Sequence, residues 1–230
     1  SAASDVYKRQ ERRFAMIKIS KKIILNEAKK ENVRATLINH ECLIKSKRNV
    51  IHRSFLDLDI VYKLYIPSYN ADVIVNDVLC DMLGLDEPML HRWSIQNFKS
   101  KEISVRDAYL EEYDIYMDEE DEDITFVYFT DKYRKYGSFN MVVTDGLYEL
   151  ALAKDARRFY VIPESTAGII VTDMGIPPRS VQELIRNMNA DRNVIPEDKV
   201  LSNSLYIYDR VTDSCLLYTS PSPRDRTRSR

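Results

Sequence analysis

Six consecutive acidic residues, Asp118-Glu119-Glu120-Asp121-Glu122-Asp123, divide this chain more firmly than any other feature. Six adjacent like charges repel one another and keep their water, so no apolar core can run through them. The run predicts a solvated loop or linker at residues 117–123. A truncated strand-and-helix part precedes it at 11–116, and an α+β part follows it at 124–214. A calcium loop interleaves Asx residues with glycine at fixed spacing, and this run does not, so no metal is expected there.

The two ends read unlike the rest. Ser4-Asp5-Val6-Tyr7-Lys8-Arg9-Gln10 back-translates as TCA GAT GTG TAT AAG AGA CAG. Cys215-Leu216-Leu217-Tyr218-Thr219-Ser220 back-translates as TGT CTC TTA TAC ACA TCT, the reverse complement of the same transposase end used in sequencing adapters. Such stretches are set aside in fold reasoning. Residues 1–10 and 215–230 are therefore expected to be non-native tails, with almost no tertiary contacts from 1–10 or 216–230. Lys8, Arg9 and Asp5 make the first tail net +1, and Arg224, Arg226, Arg228, Arg230 and Asp225 make the last net +3. The chain's −2 thus becomes −6 for the span between them. A mildly acidic domain lacks the basic surplus of a protein that binds nucleic acid by neutralising phosphates. Cys42 and Cys80 form no CxxC pair or disulfide framework, which points to a reducing, cytoplasmic setting. No apolar run approaches the ~18 residues that cross a bilayer, so no membrane span is expected.

Between the tails the hydrophobic pattern switches repeatedly between periods of two and of 3.6. Residues 33–39 read as a short strand. Residues 54–65 read as a longer one, with Leu56, Leu58, Ile60, Tyr62 and Leu64 alternating against Asp57, Asp59 and Lys63. Asn76 and Asp86 are placed to cap two successive helices, with Gly84 ending the first and Pro88 in the first turn of the second. A third helix begins at Ser104. Beyond the acidic run, strands are expected at 124–130, 159–162, 169–172 and 205–208, with helices starting at Thr144 or Asp145 and at Pro178. The order β-α-β-β-α-β with short connections predicts an α+β fold, a mixed but mainly antiparallel sheet with packed helices. Residues 163–168 are the expected hairpin turn, with Gly168 supplying a positive φ.

Four groupings of residues could carry chemistry. His52, Asp57 and Asp59 could do proton transfer or hold a cation, with both carboxylates on one exposed strand face. Lys132, Tyr133, Arg134 and Tyr136 form a basic-aromatic cluster, an interleaving that suits single-stranded nucleic acid, although the acidic balance argues against such a partner and makes them candidates for protein interaction. It lies close to the acidic run in sequence and has the opposite charge. His40, Cys42 and His52 supply one close ligand pair where structural zinc needs four ligands. Ser165, in Glu-Ser-Thr-Ala-Gly, lacks the first glycine and the strand-to-helix flanks of a nucleophile elbow. The glycines are scattered singly, so neither a phosphate loop nor a cofactor is expected.

Two stretches resemble a known family. One is Leu37-Ile38-Asn39 followed by His52-Arg53-Ser54-Phe55-Leu56-Asp57-Leu58. The other runs from Phe159-Tyr160-Val161-Ile162-Pro163-Glu164-Ser165 to Leu201-Ser202-Asn203-Ser204-Leu205-Tyr206-Ile207-Tyr208-Asp209-Arg210. Leu90-His91-Arg92-Trp93 and Leu147-Tyr148-Glu149-Leu150 fall between them in matching order. Together they resemble the bacterial group called domain of unknown function 5688. The resemblance implies a C-terminal fragment of a longer protein and brings no activity with it. Where the family often has Pro-Ser-Ser followed by His-Glu, this chain has Pro163-Glu164-Ser165-Thr166-Ala167-Gly168, so any family chemistry at that histidine is missing here. The expected function is that of a cytoplasmic, non-enzymatic regulatory or protein-interaction domain. A metal-dependent or acid/base hydrolase using His52, Asp57 and Asp59 is the alternative.

Overall fold

A computed structural model describes residues 20–45, 49–113, 126–191, 195 and 199–219. The acidic run and residues 1–19 lie outside them. The fold is α+β, built on two antiparallel sheets. The first contains β1 (Val33–Asn39), β2 (His52–Phe55), β3 (Leu58–Ile66) and β4 (Ala71–Ile74). The long β3 pairs with β1 along one edge, while β2 and β4 share its other edge end to end. The second sheet is six-stranded. It contains β5 (Ser100–Ile103), β6 (Phe126–Asp131), β7 (Arg158–Ser165), β8 (Gly168–Thr172), β9 (Tyr206–Asp209) and β10 (Ser214–Leu217), in the order β10-β9-β7-β8-β6-β5. Strand β5 precedes the acidic run yet forms the edge beside β6, so the chain segments before and after the run share a sheet.

Seven α-helices accompany the sheets among the described residues. They are α1 (Lys21–Glu27), α2 (His40–Lys45), α3 (Asp77–Leu83), α4 (Glu87–Asn97), α5 (Val105–Tyr113), α6 (Asp145–Ala153) and α7 (Pro178–Ala190). Their starts follow the capping chemistry in the sequence. Asn76 accepts from the Leu79 N–H at 2.9 Å, Asp86 from Met89 at 2.8 Å, and Ser104 from Asp107 at 3.0 Å. Gly84, at φ 63°, closes α3 in the left-handed conformation that only glycine adopts freely.

One apolar core joins the sheets. Leu37 and Leu64 from the first meet Phe129, Val161 and Val171 from the second, with Phe139 and Met141 of a 3₁₀ turn (Gly137–Met141) between them. The far face of the second sheet packs Tyr160, Ile162 and Ile170 against Val181 and Ile185 of α7 and Ala108 of α5. Buried on both faces, β7 from Phe159 to Ile162 and β8 from Ile169 to Val171 are continuously apolar where a one-sided strand would alternate.

Three expectations need correction. Residues 54–65 are not one strand. Leu56 and Asp57 form a two-residue turn, with Leu56 exposed at φ 56°. The apolar-polar alternation simply continues across that turn. The hairpin at 163–168 is real but tighter than expected, since Ser165 pairs with Gly168 around Thr166-Ala167. Gly168 is not there for a positive φ: a Cβ at that position would overlap the ring of buried Tyr128. Finally, residues 215–217 of the expected tail do not hang free. With Ser214 they form β10, Cys215 is buried, and the Tyr218 ring lies 6.3 Å from that of Tyr160. The edge of β9 offers unpaired N–H and C=O groups, which any extended apolar segment can satisfy.

Candidate functional site

The basic-aromatic stretch after β6 is a closed loop rather than a loose connection, and one carboxylate closes it. Asp131, the last residue of β6, is buried. Its Oδ2 accepts from the Tyr133 N–H at 2.8 Å, and its Oδ1 accepts from Lys135 and Tyr136, both at 2.9 Å. The loop takes its sharpest bend at Arg134, whose φ is 54°. Tyr136 is fully buried, and its hydroxyl donates to Asp72 on β4, fixing the loop to the first sheet. Burial and the Asp72 carboxylate together push the Tyr136 phenol far above its usual range. Tyr136 is thus an anchor, and Lys132 and Tyr133 are the residues the loop presents.

What they are presented beside is not visible in the local sequence. Arg34 on β1 stands directly across from Lys63 on β3. Like charges at paired positions repel, yet each is held over an aromatic face. The Arg34 guanidinium lies 5.2 Å from the Tyr133 ring centroid, and the Lys63 ammonium lies 5.7 Å from that of Tyr136. Lys132 sits 4.6 Å from the Tyr133 ring, and Lys135 sits 5.8 Å from that of Tyr65. The Tyr65 and Tyr133 rings are themselves 5.2 Å apart. Each cation–ring pair is worth roughly 0.5–2 kcal/mol, enough to hold side chains that would otherwise spread apart.

The surrounding field is positive. Burial works to raise the Tyr133 phenol, but Lys132 and Arg34 beside it outweigh burial and hold it below its ordinary value. Burial lowers the Lys63 ammonium against the opposing pull of Asp72. Beside Tyr133 a shallow cleft opens, with about 260 Å³ of space including its mouth. Arg34, Lys99 and Lys132 line it together with Ser94 and Asn97 near the end of α4.

The other sequence candidates are distributed differently. Asp57, in the hairpin turn, accepts from Ser202 at 2.9 Å, from Ser204 at 2.8 Å and from the Tyr206 hydroxyl. The two stretches that carry the family resemblance therefore meet at this carboxylate. Asp59 is not on an exposed face. It is fully buried, with His40 Nδ1 at 2.6 Å from its Oδ2. A buried carboxylate needs a partner, and His40, the first residue of α2, supplies one. His52 turns its Nδ1 to the Val50 carbonyl at 3.0 Å, and no hydrogen bond joins it to Asp57 or Asp59. Ser165 is buried, and its hydroxyl accepts from the Ala167 N–H at 3.1 Å, holding the turn. Among the described residues no three His, Cys, Asp or Glu side chains are close enough to hold a metal ion. No helix there is long and apolar enough to cross a membrane.

A further polar cluster lies where α4 packs on the first sheet. Arg53 donates to Glu87 at 2.7 Å, Tyr62 donates to the same carboxylate, and His91 Nδ1 is 3.2 Å from the Tyr62 hydroxyl. Burial lowers the His91 imidazole, and Arg53 lowers it further. Burial pushes Glu87 up, but its bonds to Arg53 and Tyr62 prevail and hold it low. In both cases the unfolded chain takes up its proton first, so acid destabilises the fold. Stability should decline as pH falls from His91's ordinary value near 6.5, and again below Glu87's near 4.5. His91→Asn should flatten the upper decline in a series of thermal melts and leave the lower one. A variant profile superimposable on the wild type would exclude His91 as its source.

The family model described as "Family of unknown function (DUF5688)" matches residues 1–210. The chain belongs to this family. No curated protein and no solved structure matches it.

Proposed function

We propose that this member of a family of unknown function is a non-enzymatic recognition domain. Its cationic–aromatic face would hold an acidic segment of a partner protein. The observation that carries this reading is the gathering of Arg34, Lys99 and Lys132 around the cleft beside Tyr133, where Asp131, already bonded to three N–H groups, is the one carboxylate among the described residues that line it. Three cations around one committed carboxylate leave a local positive surplus, and an anionic partner would neutralise it. The chain as a whole is slightly acidic at −2, so it has little long-range attraction for nucleic acid. A local basic patch on an acidic protein suits a protein partner better. The same reading places the domain in a bacterial cytoplasm, where Cys42 and Cys80 would remain as the free thiols they are.

An array of acidic peptides tests this. The wild type should retain glutamate-rich members over neutral ones, and the Lys99→Glu/Lys132→Glu variant should not. Both lysines are exposed, so their reversal leaves the core untouched. Equal retention of acidic and neutral peptides would remove the reading.

A further inference from the structure

Arg34 is held in a way that leaves one edge of its guanidinium unspent. The side chain is 7% exposed. Its Nη1 donates to the Glu31 carbonyl at 2.5 Å and to the Val33 carbonyl at 2.8 Å. Its Nη2 gives one bond to the Tyr133 hydroxyl at 3.1 Å. Its Nε is buried and has no acceptor. Among the described residues no carboxylate forms an ion pair with Arg34. Asp131, which lines the same cleft, is already committed to three backbone N–H groups.

The geometry points to a phosphate monoester as the ligand of this cleft, carried on the partner protein that the recognition reading invokes and on which this inference rests. The Nε and Nη2 hydrogens lie parallel on the rigid guanidinium fork, spaced for two oxygens of a single oxyanion. The tyrosine hydroxyl satisfies one arm of that fork and leaves the other bare. An oxyanion that displaces the hydroxyl from Nη2 fills both arms. Charge selects phosphate over carboxylate. Arg34, Lys99 and Lys132 face only Asp131 around the cleft, a local surplus of two positive charges. A phosphomonoester carries about −1.5 to −2 at neutral pH, where a carboxylate carries one.

The probes are inorganic phosphate, a phosphoserine peptide, its unphosphorylated twin and its glutamate twin. Each is titrated into the protein while the Arg34 Nε–H resonance is followed by NMR. Inorganic phosphate and the phosphopeptide should both shift that resonance saturably. The phosphopeptide should bind roughly tenfold tighter than the glutamate twin, a difference of about 1.4 kcal/mol. Lys132→Glu should weaken the phosphopeptide roughly tenfold. Arg34→Lys, which keeps the charge and loses the fork, should abolish the preference for phosphate over glutamate. If that variant fails to fold, exposed Lys132 still decides the matter. Equal affinity for the phosphopeptide and its glutamate twin, with the Arg34 resonance unmoved, would overturn the phosphate site and leave the recognition reading standing. Phosphopeptide binding no tighter than inorganic phosphate would overturn the partner-borne source. If no acidic peptide binds at all, both fall.

Discussion

Asp131→Ala should lower the free energy of unfolding by about 3 kcal/mol, the largest effect expected of any single change at the site. The carboxylate is buried and satisfies the N–H groups of Tyr133, Lys135 and Tyr136 at once. Each buried donor left without an acceptor costs about 1–3 kcal/mol, and the loop can recover part of that by opening to water. Asp131→Asn should fall between alanine and wild type. One amide oxygen can still accept, but the amide nitrogen then faces an N–H it cannot bond. Urea unfolding of the three proteins is the check. An alanine variant within about 0.5 kcal/mol of wild type, the range of an ordinary surface change, would mean that something other than Asp131 shapes the loop.

The second large effect is expected at Asp57→Ala, at about 2–3 kcal/mol. Removing this carboxylate strips the acceptor from Ser202, Ser204 and Tyr206 together, and the Tyr206 ring is fully buried. Its hydroxyl would be left with only the Ser202 and Ser204 hydroxyls, which lose the same carboxylate. The loss should be coupled: Tyr206→Phe in the Asp57→Ala background should cost less than in wild type, by about 1 kcal/mol. Strict additivity in that double-mutant cycle would show that Asp57 does not tie the β2–β3 turn to the segment before β9.

These two carboxylates illustrate what the sequence makes legible. Asp131 ends a strand just before a basic-aromatic cluster, so the loop and its charged tip can be found by reading along the chain. Asp57 is visible as a candidate, but its partners lie about 145 residues away, |i−j| being 145 to Ser202. Strand β1 and the caps at Asn76 and Asp86 follow from local chemistry and are where the pattern puts them. Strands β4 and β5 are four residues each and too polar or too short to stand out. Leu56 misleads because a bulky residue at positive φ looks like one more inward-facing leucine. Arg34 is missed for a different reason. A single arginine in a strand reads as a solvent-facing residue, and only the pairing of β1 with β3 and the docking of a loop 99 residues later bring it under Tyr133. The one available signal was its place between buried Val33 and Ala35 in an otherwise apolar stretch. His40 likewise looks like half of a zinc-ligand pair along the chain, and it is Asp59 that takes it.

On the proposed function, the face built by Arg34, Lys132 and Tyr133 recognises negative charge on a partner protein. The most direct measurement is fluorescence anisotropy of a labelled glutamate-rich peptide against the wild type and the Lys99→Glu/Lys132→Glu variant, at low and at physiological ionic strength. Salt weakens attraction between exposed charges, with a screening length of about 8 Å at physiological strength. The wild type should therefore bind more tightly at low salt, and the variant should not bind at either. An affinity unchanged by salt and by reversal of both lysines would mean that this face does not recognise negative charge.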